Sequence, residues 1–130
     1  MANPVRDIPG PQPDVESKPF WDACNRGQFL LGHCKACGEN HFQPRTICPF
    51  CFSDDTEWNE SSGLATIYSF SVMRRLGGDY VLAYVTLDEG PTVMTNIIAD
   101  DLNAVRIGAK VRVDFEPTDT GYKLPVFKLA

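Results

Sequence analysis

Four of the five cysteines form two pairs of identical spacing, Cys34-Lys35-Ala36-Cys37 and Cys48-Pro49-Phe50-Cys51, with ten residues between the pairs. A tetrahedral metal needs four soft ligands converging on one point, and two Cys-x-x-Cys turns joined by a short hairpin supply them. Four unrelated buried thiols would have to repeat one spacing by chance within a few residues. The pattern is that of a zinc ribbon, with Cys34, Cys37, Cys48 and Cys51 as ligands and one structural zinc as cofactor. Gly38 follows the first pair directly, where a metal knuckle turns sharply and positive φ can be required. A core of this size is too small to fold on apolar burial alone, so the ion must contribute; structural zinc sites supply apparent binding energies of about 10–16 kcal/mol.

At 130 residues the chain has room for one ordinary domain or two very small ones sharing a core. Lys and Arg number 12 against 17 Asp and Glu, a formal charge of −5, which opposes non-specific attraction to phosphate backbones. No apolar run approaches the roughly 20 residues that span a bilayer, and the first residues lack the apolar centre of a secretory signal. Paired cysteines without an export signal fit reduced, metal-held thiolates, hence a cytoplasmic setting, no membrane and no nucleic acid.

Three segments follow from composition. Residues 1–16 are an extended arm, because Pro9-Gly10-Pro11-Gln12-Pro13 cannot sustain a helix or an internal strand. Such an arm is a frayed terminus or a strap around a partner. Residues 17–60 hold a short helix and the ribbon: Ser17 is placed to cap the helix, Phe20, Trp21 and Cys24 form its apolar face, and Gly27 ends it. That face must be covered, by the chain's own ribbon or by a second subunit. Residues 61–130 change to strand formers separated by turns. Leu64 to Arg75 reads as a strand with Tyr68, Phe70 and Val72 on one face and Ile67 and Met73 on the other. Tyr80 to Leu87, Thr92 to Ile98, Lys110 to Phe115 and Tyr122 to Leu129 follow, with a short helical connection after Asp100. Three strands, a connection and two strands match the order of a five-stranded Greek-key barrel, the OB-fold. The fold class is therefore mainly β: N-terminal helix, rubredoxin-like zinc ribbon, then the barrel.

The order Pro19-Phe20-Trp21, Cys34-x-x-Cys37-Gly38, Pro44-Arg45, Cys48-Pro49-x-Cys51, Gly63 with Tyr68-Ser69-Phe70, Asp88-Glu89-Gly90-Pro91, Arg106-Ile107-Gly108 and Val113-x-Phe115-Glu116 resembles the small acyl-CoA-associated zinc-ribbon/OB-fold proteins, formerly a domain of unknown function. The resemblance runs from about Ser17 to the C-terminus. It implies an accessory subunit of thiolase-superfamily enzymes, among them degradative thiolases, acyltransferases and steroid side-chain aldolases, in which the partner supplies the catalytic residues. A two-plus-two heterotetramer is the assembly expected from commonly dimeric partners. One departure is Phe52, which stands where many such knuckles continue with Gly; the ligand set stays complete.

A thiolase reaction needs a nucleophilic Cys, a His to activate it and an oxyanion hole. This chain does not assemble that set: four cysteines are committed to metal, and Cys24 reads as a small hydrophobe on the helix face. His33 and His41 flank the first knuckle and read as surface or outer-shell groups. Rubredoxin-type iron would use the same four thiolates, and the resemblance favours zinc. Arg45, Arg74, Arg75, Phe20 and Trp21 are the candidate contacts to coenzyme A or to a partner. The competing function is a single-stranded nucleic-acid-binding module, with Tyr68 and Phe70 as stacking aromatics. It lacks a positive groove, since residues 63–130 carry seven basic and eight acidic side chains.

Overall fold

The computed structural model describes residues 8–43, 45–74, 76 and 78–130. Helix α1 (Lys18–Asn25) precedes a three-stranded antiparallel ribbon of order β2-β1-β3, built from β1 (Leu30–Cys34), β2 (Asn40–His41) and β3 (Thr56–Glu60). The strands β4 (Leu64–Met73), β5 (Tyr80–Leu87), β6 (Thr92–Ile98), β7 (Lys110–Pro117) and β8 (Lys123–Leu129) then close a barrel of order β4-β5-β6-β8-β7. All barrel pairs are antiparallel except β6 with β8, where Ile97 faces Phe127. That order, with its one parallel pair, is an OB-fold. The connection after Asp100 is a single 3-10 turn, Leu102–Ala104, capped by the Asp101 carboxylate accepting from the Asn103 N–H at 2.9 Å.

Alternation places Val81, Ala83, Val85 and Leu87 of β5 inside the barrel, as their spacing requires. On β4 the expected phase fails. A bulge between Ile67 and Ser69 inserts an extra residue against β5 and shifts every side chain after it. Tyr68 is consequently thrown to solvent, 68% exposed, while Ile67 is buried and Phe70 and Val72 turn to the core. The grouping of Tyr68 with Phe70 and Val72 on one face is thereby corrected.

The cap of α1 also differs from expectation. Ser17 has helical backbone angles and caps nothing with its side chain. Asp14 does the work three residues earlier: its carboxylate accepts from the Ser17 N–H at 2.7 Å, and the Ser17 hydroxyl accepts from the Asp14 N–H at 3.1 Å. Gly27, with φ of 78°, ends the helix as expected.

What covers the helix is the chain itself. Phe20, Ala23 and Cys24 are buried against β1 and β8. The Phe20 ring meets Phe29 and Phe42 at 5.9 and 5.7 Å between centroids, and Phe29 meets Phe127 of the barrel edge-on at 5.9 Å and 87°. One continuous core therefore joins ribbon to barrel. The proline-rich arm is neither frayed nor free between Ile8 and Pro13. Gly10 N–H donates to Asp119 at 2.7 Å, and the Thr120 hydroxyl donates to the Pro11 carbonyl at 3.1 Å, which fastens the arm to the β7–β8 turn.

Candidate metal centre

The two knuckles are built alike. In the first, Cys34 N–H donates to the Glu39 carbonyl at 3.0 Å and Gly38 N–H to the Cys34 carbonyl at 2.8 Å. In the second, Cys48 N–H donates to Ser53 at 2.9 Å and Phe52 N–H to Cys48 at 3.0 Å. Each also aims a backbone N–H at its leading sulfur, Cys37 at Cys34 Sγ (3.5 Å) and Phe50 at Cys48 Sγ (3.4 Å). The turn that delivers this pattern needs positive φ at its last residue. Gly38 takes φ of 79°, and Phe52 takes 66° with a side chain that ordinarily disfavours it.

The four sulfurs lie within 4.8 Å of one another. Cys34 Sγ is 3.6 Å from Cys51 Sγ, and Cys37 Sγ is 3.7 Å from Cys48 Sγ. A tetrahedron with Zn–S bonds of about 2.3 Å has edges of about 3.8 Å, so these two edges match a cage around one such ion. Two ligands, Cys34 and Cys48, are buried, whereas Cys37 and Cys51 are exposed. Four thiolates complete the coordination and leave no position for a reacting water. The metal serves the fold.

The remaining candidate residues fall in several places. Cys24 is fully buried, and burial pushes its thiol up to about 12, as suits a packing residue. His33 Nδ1 lies 2.8 Å from Asn40 Oδ1. His41 is buried, contrary to a surface role: its Nδ1–H donates to the Gln43 carbonyl at 3.0 Å, leaving Nε2 without a partner among the described residues. Phe20 is committed to the internal core and has no surface to offer a partner; Trp21, edge-on to it at 5.0 Å, remains half-buried. Arg74 pairs with Asp79 at 3.0 Å on the β4–β5 turn, and Arg75 lies outside the described residues.

Arg45 borders a cavity of about 410 Å³ that Glu16, Pro19, Gly32 and Trp58 also line. The Glu16 carboxylate accepts from the Thr46 N–H and hydroxyl at 2.7 and 3.0 Å; these bonds, with Arg45 adding to them, hold its carboxyl below the usual range. No side chain fits at Gly32, because a Cβ there would stand 2.2 Å from His41 Cε1.

One important residue escaped sequence reasoning. Glu89, on the turn between β5 and β6, accepts from Ser61 Oγ and Ser62 N–H at 2.8 Å each, and its carbonyl accepts from Asn40 Nδ2 at 3.0 Å. It clamps the ribbon to the barrel. The sequence shows only a Gly-Pro turn there, and no local signal marks the clamp.

A tetrathiolate ribbon continuous with a closed five-stranded barrel defines the class of zinc-ribbon/OB-fold proteins. Residues 21–57 match the family described as the rubredoxin-like zinc ribbon domain of ChsH2, and residues 58–116 its C-terminal OB-fold domain. The chain is 33% identical to a DUF35 domain-containing scaffold protein of Methanocaldococcus jannaschii, over 73% of each chain. It is 30% identical to a probable enoyl-CoA hydratase alpha subunit of Thermomonospora curvata, covering 92% of this chain but only 40% of that protein's length. Among solved structures it superposes on a chain of the Ltp2-ChsH2(DUF35) aldolase with a TM-score of 0.79 and 27% identity, over 92% of this chain and 98% of that one. The chain belongs to the DUF35 family. Among the described residues no helix is long and apolar enough to cross a membrane.

Proposed function

We propose that this chain is a zinc-stiffened accessory subunit that docks on and completes a thiolase-superfamily enzyme acting on acyl-CoA thioesters. The observation that carries the reading is the similarity over 98% of a chain from a structure described as an aldolase of two named components. The scaffold-protein name of one relative and the subunit name of another point the same way. The chain's own chemistry agrees, since its one cysteine outside the metal cage is buried and its thiol is pushed up to about 12.

In this reading residues 17–60 and 61–130 act as one rigid platform in the cytoplasm, where reduced thiolates keep their metal. The assembly is two plus two. Arg45 and Trp58, which line one cavity, offer a cation and an aromatic face to an acyl-CoA segment or a partner loop, and Trp21 and Arg74 are further candidate contacts. The acidic balance of the barrel argues against single-stranded nucleic acid. Co-expression with candidate thiolase-superfamily subunits, followed by size-exclusion chromatography, tests the proposal. It predicts one co-eluting complex with activity that neither subunit shows alone; separate elution, with full partner activity in the absence of this chain, overturns it.

A further inference from the structure

The two metal knuckles provide an internal control. Their backbones close with the same pair of N–H to carbonyl bonds, so the two turns make the same demands on the residues that form them. The first meets those demands with Lys35, Ala36 and Gly38. The second carries Pro49, Phe50 and Phe52 at the matching places. Neither ring is needed for the turn or the cage.

Neither ring gains much burial in the free chain. Phe50 is 60% exposed and Phe52 78% exposed, and Ile47 at the head of the same turn is 45% exposed. Phe52 is the one non-glycine residue with positive φ among the described residues. A residue held in a disfavoured conformation, with its ring in water, gains little from its own fold. Such outliers collect where a surface meets something else.

From this we infer that the second knuckle is the docking tip of the platform, with Phe50 and Phe52 seated in an apolar recess of the catalytic partner subunit. The inference rests on the accessory-subunit reading and locates its contact. Charge selects the occupant. Divalent zinc held by four thiolates is a formal dianion, and Asp54 and Asp55 follow Phe52 after Ser53, both exposed. Lys35 on the facing knuckle lies 3.9 Å from Glu57 and is partly offset by it. A second copy of this chain, at net charge −5, would bring like charge to like. The recess therefore has a rim of Lys and Arg, and aromatic anchors inside such a rim are the usual carriers of interface affinity.

The test compares the full chain with Phe50→Ala/Phe52→Ala and with Phe52→Gly, measuring bound zinc, unfolding midpoint and affinity for a thiolase-superfamily subunit that co-purifies with the tagged wild type. The double variant should keep one zinc and the wild-type midpoint, while Kd rises on the order of tenfold or more. Phe52→Gly should leave the midpoint equal or higher, because glycine accepts the turn freely, and still weaken binding. Loss of affinity in step with loss of stability or metal would overturn the inference, and so would an unchanged Kd. Asp54→Asn/Asp55→Asn should weaken binding most at low salt. Concentration-dependent self-association of the wild type, abolished by the double variant, would assign the tip to a second copy and overturn the inference. A wild-type chain that captures no thiolase-superfamily subunit at all overturns the functional reading and this inference together.

Discussion

Removing the Phe29 ring should uncouple the ribbon from the barrel. Phe29 is buried among Phe20, Phe42 and Phe127 at centroid distances of 5.9, 5.7 and 5.9 Å, and only the last of these belongs to the barrel. Phe→Ala in a packed core costs about 3–5 kcal/mol, and three ring partners, each adding about 0.5–1.5 kcal/mol beyond burial, place Phe29→Ala in the upper part of that range. Against a total stability of about 5–15 kcal/mol for an ordinary domain, that is a large share of what holds this chain together. The chain contains its own probes: Trp21 and Trp58 both precede residue 61, and all four tyrosines follow it. In urea, tryptophan fluorescence and tyrosine absorbance should trace one transition for the wild type. For Phe29→Ala the tryptophan curve should move to lower urea first and separate from the tyrosine curve. A loss under about 1 kcal/mol with coincident curves would refute the idea that this ring joins the two halves.

Three further outcomes follow from the same contacts. Chelation of the metal should unfold the ribbon and, through Phe29 and Phe127, lower the barrel's midpoint too; an unchanged tyrosine transition in metal-free protein would show that the core is not shared. Burial pushes the Glu89 carboxyl up, but the bonds from Ser62 and Ser61 outweigh it and hold the group below its ordinary 4.5. A depressed carboxylate contributes its stability fully above that value and loses it as pH falls through the folded pKa, so melting scans from about pH 7 to about pH 3 should show Glu89→Gln less stable at neutrality and closer to wild type in acid. Parallel melting curves would refute the clamp. Gly32→Ala would press a methyl group onto the His41 ring and strain its bond to Gln43, a cost of about 1–3 kcal/mol by overpacking; a wild-type midpoint would show that the ring moves aside freely.

Local patterns in the chain carried a good deal of this architecture. Cys-x-x-Cys spacing is read over four residues, and alternation in β5 over eight, so the metal cage and the order of the barrel strands were legible before any coordinates. Where a feature depended on residues distant in sequence, the pattern failed. Tyr68 was misplaced because a bulge depends on how β4 pairs with β5. The helix cap is ambiguous in sequence, because Asp14 and Ser17 can both fill that role and the path of the arm decides between them. The burial of His41 is not legible in sequence, because only the pairing of β1 with β2 sets it over Gly32.

By itself, then, the sequence determined the ligand set, the ribbon and the five-strand order, since each follows from spacing and periodicity within a single short segment. The tertiary structure decided that ribbon and barrel share one core through Phe29 and Phe127, that Glu89 clamps them, and that Phe52 holds a glycine's conformation at an exposed tip. These are contacts between segments tens of residues apart, or backbone angles imposed by a metal turn. Neither leaves a periodic trace in the chain, because their energy is paid out only when distant pieces meet.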